Sequence, residues 1–247
     1  MNDVAVSSWV SAILATSFLA ALIARLPRLI QGVGNLWLWL THLGMALILS
    51  LAVDPVYEFV DSWAGSQNFT NLVSHIGIAL VFFCGGIQIS HGINRPEIAN
   101  KILKLSTVAL PASAALMGVL FVLSGSSYSD VGLNAFRHNP LVVLYKLALY
   151  IYPAIVSSFL VAPLMRAATE SVSRIPYYSK KLMGFGFGLV IAAPLGHLAE
   201  LANRQLGWIT DLFIYPAILS VLAGMTLGLV DAMLCRRRQR RDFIQAS

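Results

Sequence analysis

Charge is what this sequence has least of. Of its 247 residues only 11% are charged, whereas 57% are hydrophobic. A soluble domain usually carries about 25% charged residues, and here the shortfall is gathered into long apolar runs. Because a single soluble core does not bury so many of these runs, the composition predicts a polytopic membrane protein.

Cysteine is scarce as well, with two residues, Cys84 and Cys235. Two cysteines in unrelated segments indicate neither a disulfide framework nor a thiolate metal site. The N-terminal segment has neither the basic region nor the small-residue cleavage site of a secretory signal peptide. We therefore expect this segment to be retained as the first spanning helix.

Known catalytic motifs are missing too. The sequence has no HExxH, no GxSxG and no paired aspartates of an intramembrane protease. Seven-helix zinc hydrolases of the ceramidase and adiponectin-receptor type use histidines near the last helix, and residues 208–234 contain none. The same segment lacks the lysine that a retinal protein needs. The residues that could still bind a metal ion are His197 and Glu200, with His75 as a third ligand. We expect no enzyme activity and no cofactor.

Seven apolar segments are each long enough to span a membrane, which takes roughly 20 residues. They are residues 5–25, 34–53, 70–90, 105–124, 140–165, 182–205 and 208–234. We therefore predict an all-α polytopic membrane protein with seven transmembrane helices. The membrane domain covers residues 1–235, and a basic tail follows over residues 236–247.

The basic residues are distributed unevenly between the two sides. With the N-terminus outside, nine lysines and arginines of the loops and five arginines of the tail lie inside, fourteen of seventeen in all. This asymmetry predicts an outer N-terminus and a cytoplasmic C-terminus. In the tail, the residues expected to contact an anionic inner leaflet are Arg236, Arg237, Arg238, Arg240 and Arg241, each contributing on the order of 1 kcal/mol.

A cytosolic partner is the other interpretation of the tail. Nucleic acid is not expected, because no aromatic-interleaved basic surface accompanies these charges. The location that follows is the cell membrane, most simply a bacterial plasma membrane.

The stretch "DPVYEFVDSWAG" lies between the second and third predicted spans. Its apolar residues and its polar residues take opposite faces at helical spacing: Val56, Phe59, Val60 and Trp63 on one, Glu58, Asp61 and Ser62 on the other. This pattern predicts a short helix over residues 55–64 lying on the outer surface, with Phe59 and Trp63 facing the membrane. The alternative is a simple turn between two spans.

Small residues predict where helices approach closely. Gly184 and Gly188 are spaced for close packing in the sixth span, and Gly224 and Gly228 in the seventh. The fourth span, with "ALPASAALMG", has a face of small residues. That face is the predicted docking surface for a partner membrane protein.

Several polar residues fall where lipid would not tolerate them. His197, Glu200 and Arg204 share one helical face of the sixth span, and Lys146 lies at a similar depth on the fifth. Others at that level are His75, Tyr145 and Tyr215. We predict an outward-facing polar pocket or a buried polar network. The alternative is a structural ion pair of Lys146 with Glu200. His42, which lies deeper, is interpreted as a packed histidine that donates to a carbonyl.

The segment "PVYEFVDSWAGSQNFTNLVSHIG" resembles one helix junction of a group of actinobacterial seven-helix integral membrane proteins. The resemblance is carried by Asp61, Gly65, Asn71, Leu72 and His75. Those proteins are commonly described as transporters, so the resemblance implies a membrane protein with a transport role. The seven-helix plan is also similar, in topology alone, to the membrane input modules of bacterial sensor kinases.

Three functions remain open. We expect first a non-enzymatic, receptor-like or binding protein that takes a small molecule or peptide in the outward-facing pocket. The second is a small transporter or transporter subunit, although the internal repeat common in transporters is not evident between the first three and last three helices. The third is a structural subunit of a larger membrane complex.

Overall fold

The computed structural model describes residues 2–32, 34–125, 130–133, 136 and 138–246, with the backbone alone for residues 2–7, 132 and 236–246. Over these residues the chain is helical and contains no strand. The α-helices are α1 (Asn2–Ile30), α2 (Leu36–Leu51), α3 (Asp54–Trp63), α4 (Phe69–Gly92), α5 (Pro96–Ser124), α6 (Pro140–Thr169), α7 (Arg174–Ala202) and α8 (Trp208–Ala246). Two 3-10 turns, Val131–Leu133 and Arg204–Leu206, lie in the connections.

Among the described residues, six helices are long and apolar enough to cross a membrane, namely α1, α4, α5, α6, α7 and α8. The helix α2 has 16 residues, about 24 Å at 1.5 Å per residue, which is short of the roughly 30 Å hydrocarbon core. It reaches a seventh span only together with α3, and the two are bent by 92°. The predicted all-α fold is confirmed, with six helices, or seven if α2 and α3 count as one span, that are long and apolar enough to cross a membrane.

The predicted short helix after the second span exists as α3. It begins at Asp54 with Pro55 in its first turn, and the chain leaves it through Gly65, whose φ of +81° suits glycine. Phe59 is 63% exposed and Trp63 83% exposed, so the apolar face is not covered by other helices. Its contact with the membrane stays a prediction. The polar face was predicted wrongly in one respect, because Asp61 is fully buried rather than turned to water.

The helix α6 is the most buried of the candidate spans, and it packs against α4, α5 and α7. Its residues Tyr152, Val156, Leu160 and Leu164 are fully buried, and Ile102 of α5 joins them in the core. The edges of the bundle are α1, which packs against α2, and α8, which packs against α7.

The two ends of the bundle differ in charge. The basic end has Arg25, Arg28, Lys101, Lys104 and Lys180 near the helix termini. The acidic end has Asp54, Asp61, Asp130, Glu200 and Asp211. The names basic end and acidic end refer to these residues below.

Glycines bring α7 and α8 into close contact. A Cβ on Gly196 would lie 2.7 Å from the backbone N of Thr210, and one on Gly224 would lie 2.6 Å from the carbonyl oxygen of Ser179. The hydroxyl of Ser179 donates to the carbonyl of Gly224 at 2.7 Å. The predicted close approach is confirmed at Gly224 and wrong at Gly188, which would meet nothing within 4 Å.

The other two glycines predicted from spacing also pack closely. A Cβ on Gly184 would lie 3.0 Å from Met165 of α6, and one on Gly228 would lie 3.1 Å from the Ser179 hydroxyl of α7. On α5, Ser113 is buried, whereas Val108 and Val122 are 72% and 75% exposed. Docking of a partner on α5 stays a prediction.

The proposed boundary at residue 235 is not a break in the backbone, because α8 continues to Ala246. The arginine side chains of the tail lie outside the described part of the chain. Their contact with lipid stays a prediction.

We predict that Gly196→Ala destabilises the protein. Its methyl group would overlap the backbone of Thr210, and overpacking of this kind costs about 1–3 kcal/mol. Thermal unfolding in detergent should show a midpoint lower by about 2–12 °C. The matched control is Gly188→Ala, on the same helix and in open space, which should unfold within about 1 °C of wild type. Equal midpoints for the two variants would contradict the close contact.

Candidate functional site

The carboxylate of Asp61 caps the start of α4 from inside the protein. Its two oxygens accept hydrogen bonds from the backbone N–H groups of Asn68 and Thr70, both at 3.0 Å. These donors belong to the first turn of α4, where backbone N–H groups lack helical partners and the helix dipole favours a negative charge. The buried charge is thus stabilised by the helix that it anchors to α3.

Asn68 extends this junction to the segment that precedes the first 3-10 turn. It adopts a left-handed conformation with φ of +60°, and its side-chain oxygen accepts from the Tyr57 hydroxyl at 2.9 Å and from the Asp130 N–H at 2.6 Å. The amide of Asn71 donates to the Tyr57 hydroxyl at 2.7 Å and to the Asp130 carbonyl at 2.8 Å. Burial raises the pKa of Tyr57, and the carboxylates of Asp61 and Asp130 add to the rise. The hydroxyl therefore stays a donor.

One turn further along α4, His75 meets Tyr145 of α6. Nδ1 of His75 lies 2.7 Å from the Tyr145 hydroxyl, and the two ring centroids are 5.2 Å apart. Tyr145 is fully buried. The sequence placed both residues at one level, and the structure joins them by a hydrogen bond.

A second pair lies at the end of α7. Nδ1 of His197 is 3.1 Å from Oε2 of Glu200, and both residues are only 5% exposed. The ring of Tyr150 stacks on His197 with centroids 5.3 Å apart. A Cβ on Gly207 would lie 2.9 Å from Oε1 of Glu200, so the chain after α7 folds directly over this carboxylate.

Lys146 lies on α6 directly after Tyr145 of the first pair and four residues before Tyr150, whose ring stacks on His197 of the second pair. The polar cluster is defined here as Lys146, the His75–Tyr145 pair and the His197–Glu200 pair. Glu200 is hydrogen bonded to His197 on its own helix. Coupling of Glu200 to Lys146 stays a prediction.

Arg204 does not share the face predicted for it. The helix α7 ends at Ala202, and Asn203 is extended with φ of −147° and ψ of 112°. Helical periodicity therefore stops before Arg204, which is exposed at the start of a 3-10 turn. Glu200 accordingly lies about 3 Å from its helix end and Lys146 about 9 Å from the start of α6, so their depths are less closely matched than predicted.

Tyr215 is 61% exposed on α8 and does not line a closed pocket. Its hydroxyl is nevertheless within electrostatic range of Tyr150, as is the carboxylate of Asp211. The sequence analysis missed Tyr150 and Asp211. Tyr150 follows Lys146 by four residues, a spacing that places both on one face of α6 and could have revealed it.

His42 is the packed histidine that the sequence predicted. Its Nδ1 lies 2.7 Å from the Leu38 carbonyl oxygen, which only accepts, so the ring nitrogen donates. The ring also meets the edge of Phe18 with centroids 5.6 Å apart. It lies in another part of the bundle from the polar cluster.

The polar cluster offers one ammonium, one carboxylate, two imidazoles and tyrosine hydroxyls. The metal set considered from the sequence, His197 and Glu200 with His75, is not assembled, since no three histidine, cysteine or acidic side chains of the described residues come close enough to hold a metal ion. What remains is hydrogen bonding, charge pairing and proton transfer between His and Glu.

Comparisons of this chain with protein-family models, with curated proteins and with solved structures found no match. The arguments about function below consequently depend on the residues themselves.

We predict that Asp61→Asn loosens the junction of α3 with α4. The amide carries no charge and presents only one oxygen to the two backbone donors, so a loss of about 1–3 kcal/mol is expected. Thermal unfolding in detergent measures it. Glu58→Gln, on the exposed face of the same helix, is the control and should change stability by less than about 0.5 kcal/mol. A loss shared equally by both variants would contradict the cap.

Proposed function

We propose that this protein is a non-enzymatic, receptor-like membrane protein that binds a small molecule or peptide at its polar cluster. The proposal is supported first by the free energy that it costs to place the ionisable side chains of the polar cluster in a spanning bundle. Ionisable side chains at membrane depth are expensive and usually mark a ligand, ion or proton site. Lys146 on α6 and the hydrogen-bonded His197 and Glu200 on α7 all belong to helices that are long and apolar enough to span a membrane.

The observation that carries the proposal is the position of the His197–Glu200 pair. Both residues belong to α7, three positions apart, so their hydrogen bond does not connect one helix to another. Contacts that only hold a bundle together join different helices, so a buried polar pair confined to one helix favours a binding role. The structural ion pair of Lys146 with Glu200 stays the alternative interpretation.

The charges also suggest the chemistry of the ligand. Lys146 on α6 is a partner for a carboxylate, and Glu200 on α7 is a partner for an ammonium group that replaces His197. The ring of Tyr150 offers an apolar face beside them. A zwitterion, such as an amino acid or a short peptide, carries both charges. The chain over Glu200, residues 203–207, would have to move to admit it.

We also propose the orientation that follows from the basic residues, with the basic end in the cytoplasm and the N-terminus outside. The ligand then reaches the acidic end from outside the cell membrane. The resemblance at the α3–α4 junction to membrane proteins described as transporters agrees with such a location.

A small transporter is the second candidate, and one observation favours it. The helix α7 contributes His197 and Glu200 to the polar cluster and Ser179, Lys180 and Met183 to a cleft at the basic end. A movement of this helix, which contributes to a site at each end, could expose the two sites alternately. Uptake of a labelled ligand into proteoliposomes would separate transport from binding alone.

Binding can be tested with a defined set of probes. Purified protein is heated in detergent with amino acids, dipeptides, simple carboxylates and simple amines, and a zwitterion at about 100 times its Kd should stabilise it by about 2.7 kcal/mol. Glu200→Gln should abolish this stabilisation, and Glu58→Gln at the exposed surface should retain it. The proposal fails if no zwitterion stabilises the protein, or if stabilisation survives Glu200→Gln.

The side from which the ligand arrives has a separate test. In a Cys235→Ser background, Gln205→Cys beside the polar cluster and Val172→Cys at the basic end provide two exposed thiols. A membrane-impermeant maleimide applied to intact cells should label Gln205→Cys, and it should label Val172→Cys only after permeabilisation. The reverse pattern would overturn the orientation.

A further inference from the structure

A cleft of 1220 Å³ opens at the basic end of the bundle. One wall is formed by α1, α2 and the end of α4, and the other by the start of α7 and by α8. The edge helices α1 and α8 pack mainly against their own neighbours, α2 and α7. The space between these two helix pairs is therefore left open, and it is distinct from the polar cluster.

The wall of the cleft is apolar over most of its area. Leu14 and Phe18 line it from α1, and Leu222 and Met225 line it from α8. Their spacing places each pair on one face of its helix. A ligand in this part of the cleft must itself be apolar.

Charge is concentrated on the α1 side of the cleft. Arg25 and Arg28 are three residues apart, so both lie on the helix face that lines it. The charge of Arg25 reaches the ring of His42. Asp231 of α8 is the acidic residue among the lining side chains. Lys180 also lines the cleft, and its ammonium donates to the end of α6, to the Ala167 carbonyl and the Ser171 hydroxyl.

Two polar atoms in the wall lack partners. Nε1 of Trp39 and Oε1 of Gln88 are buried without a hydrogen bond, and both residues line the cleft. Buried polar groups nearly always have a partner, so such atoms point to an absent ligand or water. One is a donor and the other an acceptor, and small side-chain rotations would let them bind an ester or phosphate oxygen and a hydroxyl group.

We propose that this cleft binds one anionic phospholipid of the leaflet at the basic end. The acyl chains occupy the apolar wall, the phosphate pairs with Arg25 and Arg28, and Trp39 and Gln88 complete the polar contacts. Basic pockets between spanning helices are known to hold anionic headgroups. Two arginines beside an apolar wall match a phosphate joined to acyl chains, whereas a spanning helix of a partner presents a mostly apolar surface along its whole length.

The test compares lipids that differ in headgroup alone. Purified protein in mild detergent is titrated with phosphatidylglycerol or phosphatidylcholine of equal chain length, and bound lipid is counted by native mass spectrometry alongside thermal unfolding. Phosphatidylglycerol should bind at about one lipid per protein and raise the unfolding midpoint, and phosphatidylcholine should bind at least tenfold more weakly. Each basic residue near an anionic surface contributes about a fivefold change in affinity. The Arg25→Gln, Arg28→Gln double variant should therefore bind phosphatidylglycerol about 25-fold more weakly.

The matched control is Lys101→Gln with Lys104→Gln, which removes two exposed charges at the same end but outside the cleft. This variant should retain phosphatidylglycerol within about twofold of wild type. A third variant, Met225→Trp, fills the apolar wall without changing charge and should also weaken lipid binding. Equal losses in the two charge variants, equal binding of the two lipids, or equal stabilisation by soluble glycerol 3-phosphate would each overturn the proposal.

Discussion

A polar group inside an apolar medium must find its partner within the protein, and the described structure depends on how this chain meets that demand. At the α3–α4 junction the charge of Asp61 is paired with two backbone N–H groups of the helix it caps. Close approach of α7 and α8 needs Gly196 and Gly224, and there Ser179 donates to a carbonyl of the facing helix. In both places a side chain forms a hydrogen bond with backbone groups of a neighbouring helix and so holds the two helices together.

The polar cluster also needs partners within the protein, but here two of its residues find them on one helix. His197 and Glu200 are hydrogen bonded to each other on a single helix. Tyr150 of α6, four residues after Lys146, stacks on the His197 ring. Our proposal that a ligand competes for these partners starts from this arrangement.

The sequence predicted the features that depend on composition and local spacing. It did not predict those that depend on where a helix ends or on how two helices pack against each other. Apolar runs predicted the spanning helices, and the amphipathic pattern predicted α3. Arg204 was misplaced because helical spacing was extended past Ala202, where Asn203 turns the chain. The burial of Asp61 depends on α3 folding against α4, which spacing within α3 does not reveal. At this junction Asp61 and Asn71 both have a structural role.

The central claim is that Lys146 and Glu200 belong to one electrostatic unit, and a double-mutant cycle measures this directly. Lys146→Met and Glu200→Gln should each lower the free energy of unfolding in detergent, because each leaves the opposite charge with less compensation. The double variant should recover part of the loss, with a coupling energy of about 0.5–3 kcal/mol. Losses that add to within about 0.5 kcal/mol would show that the two residues act independently, and would contradict the account.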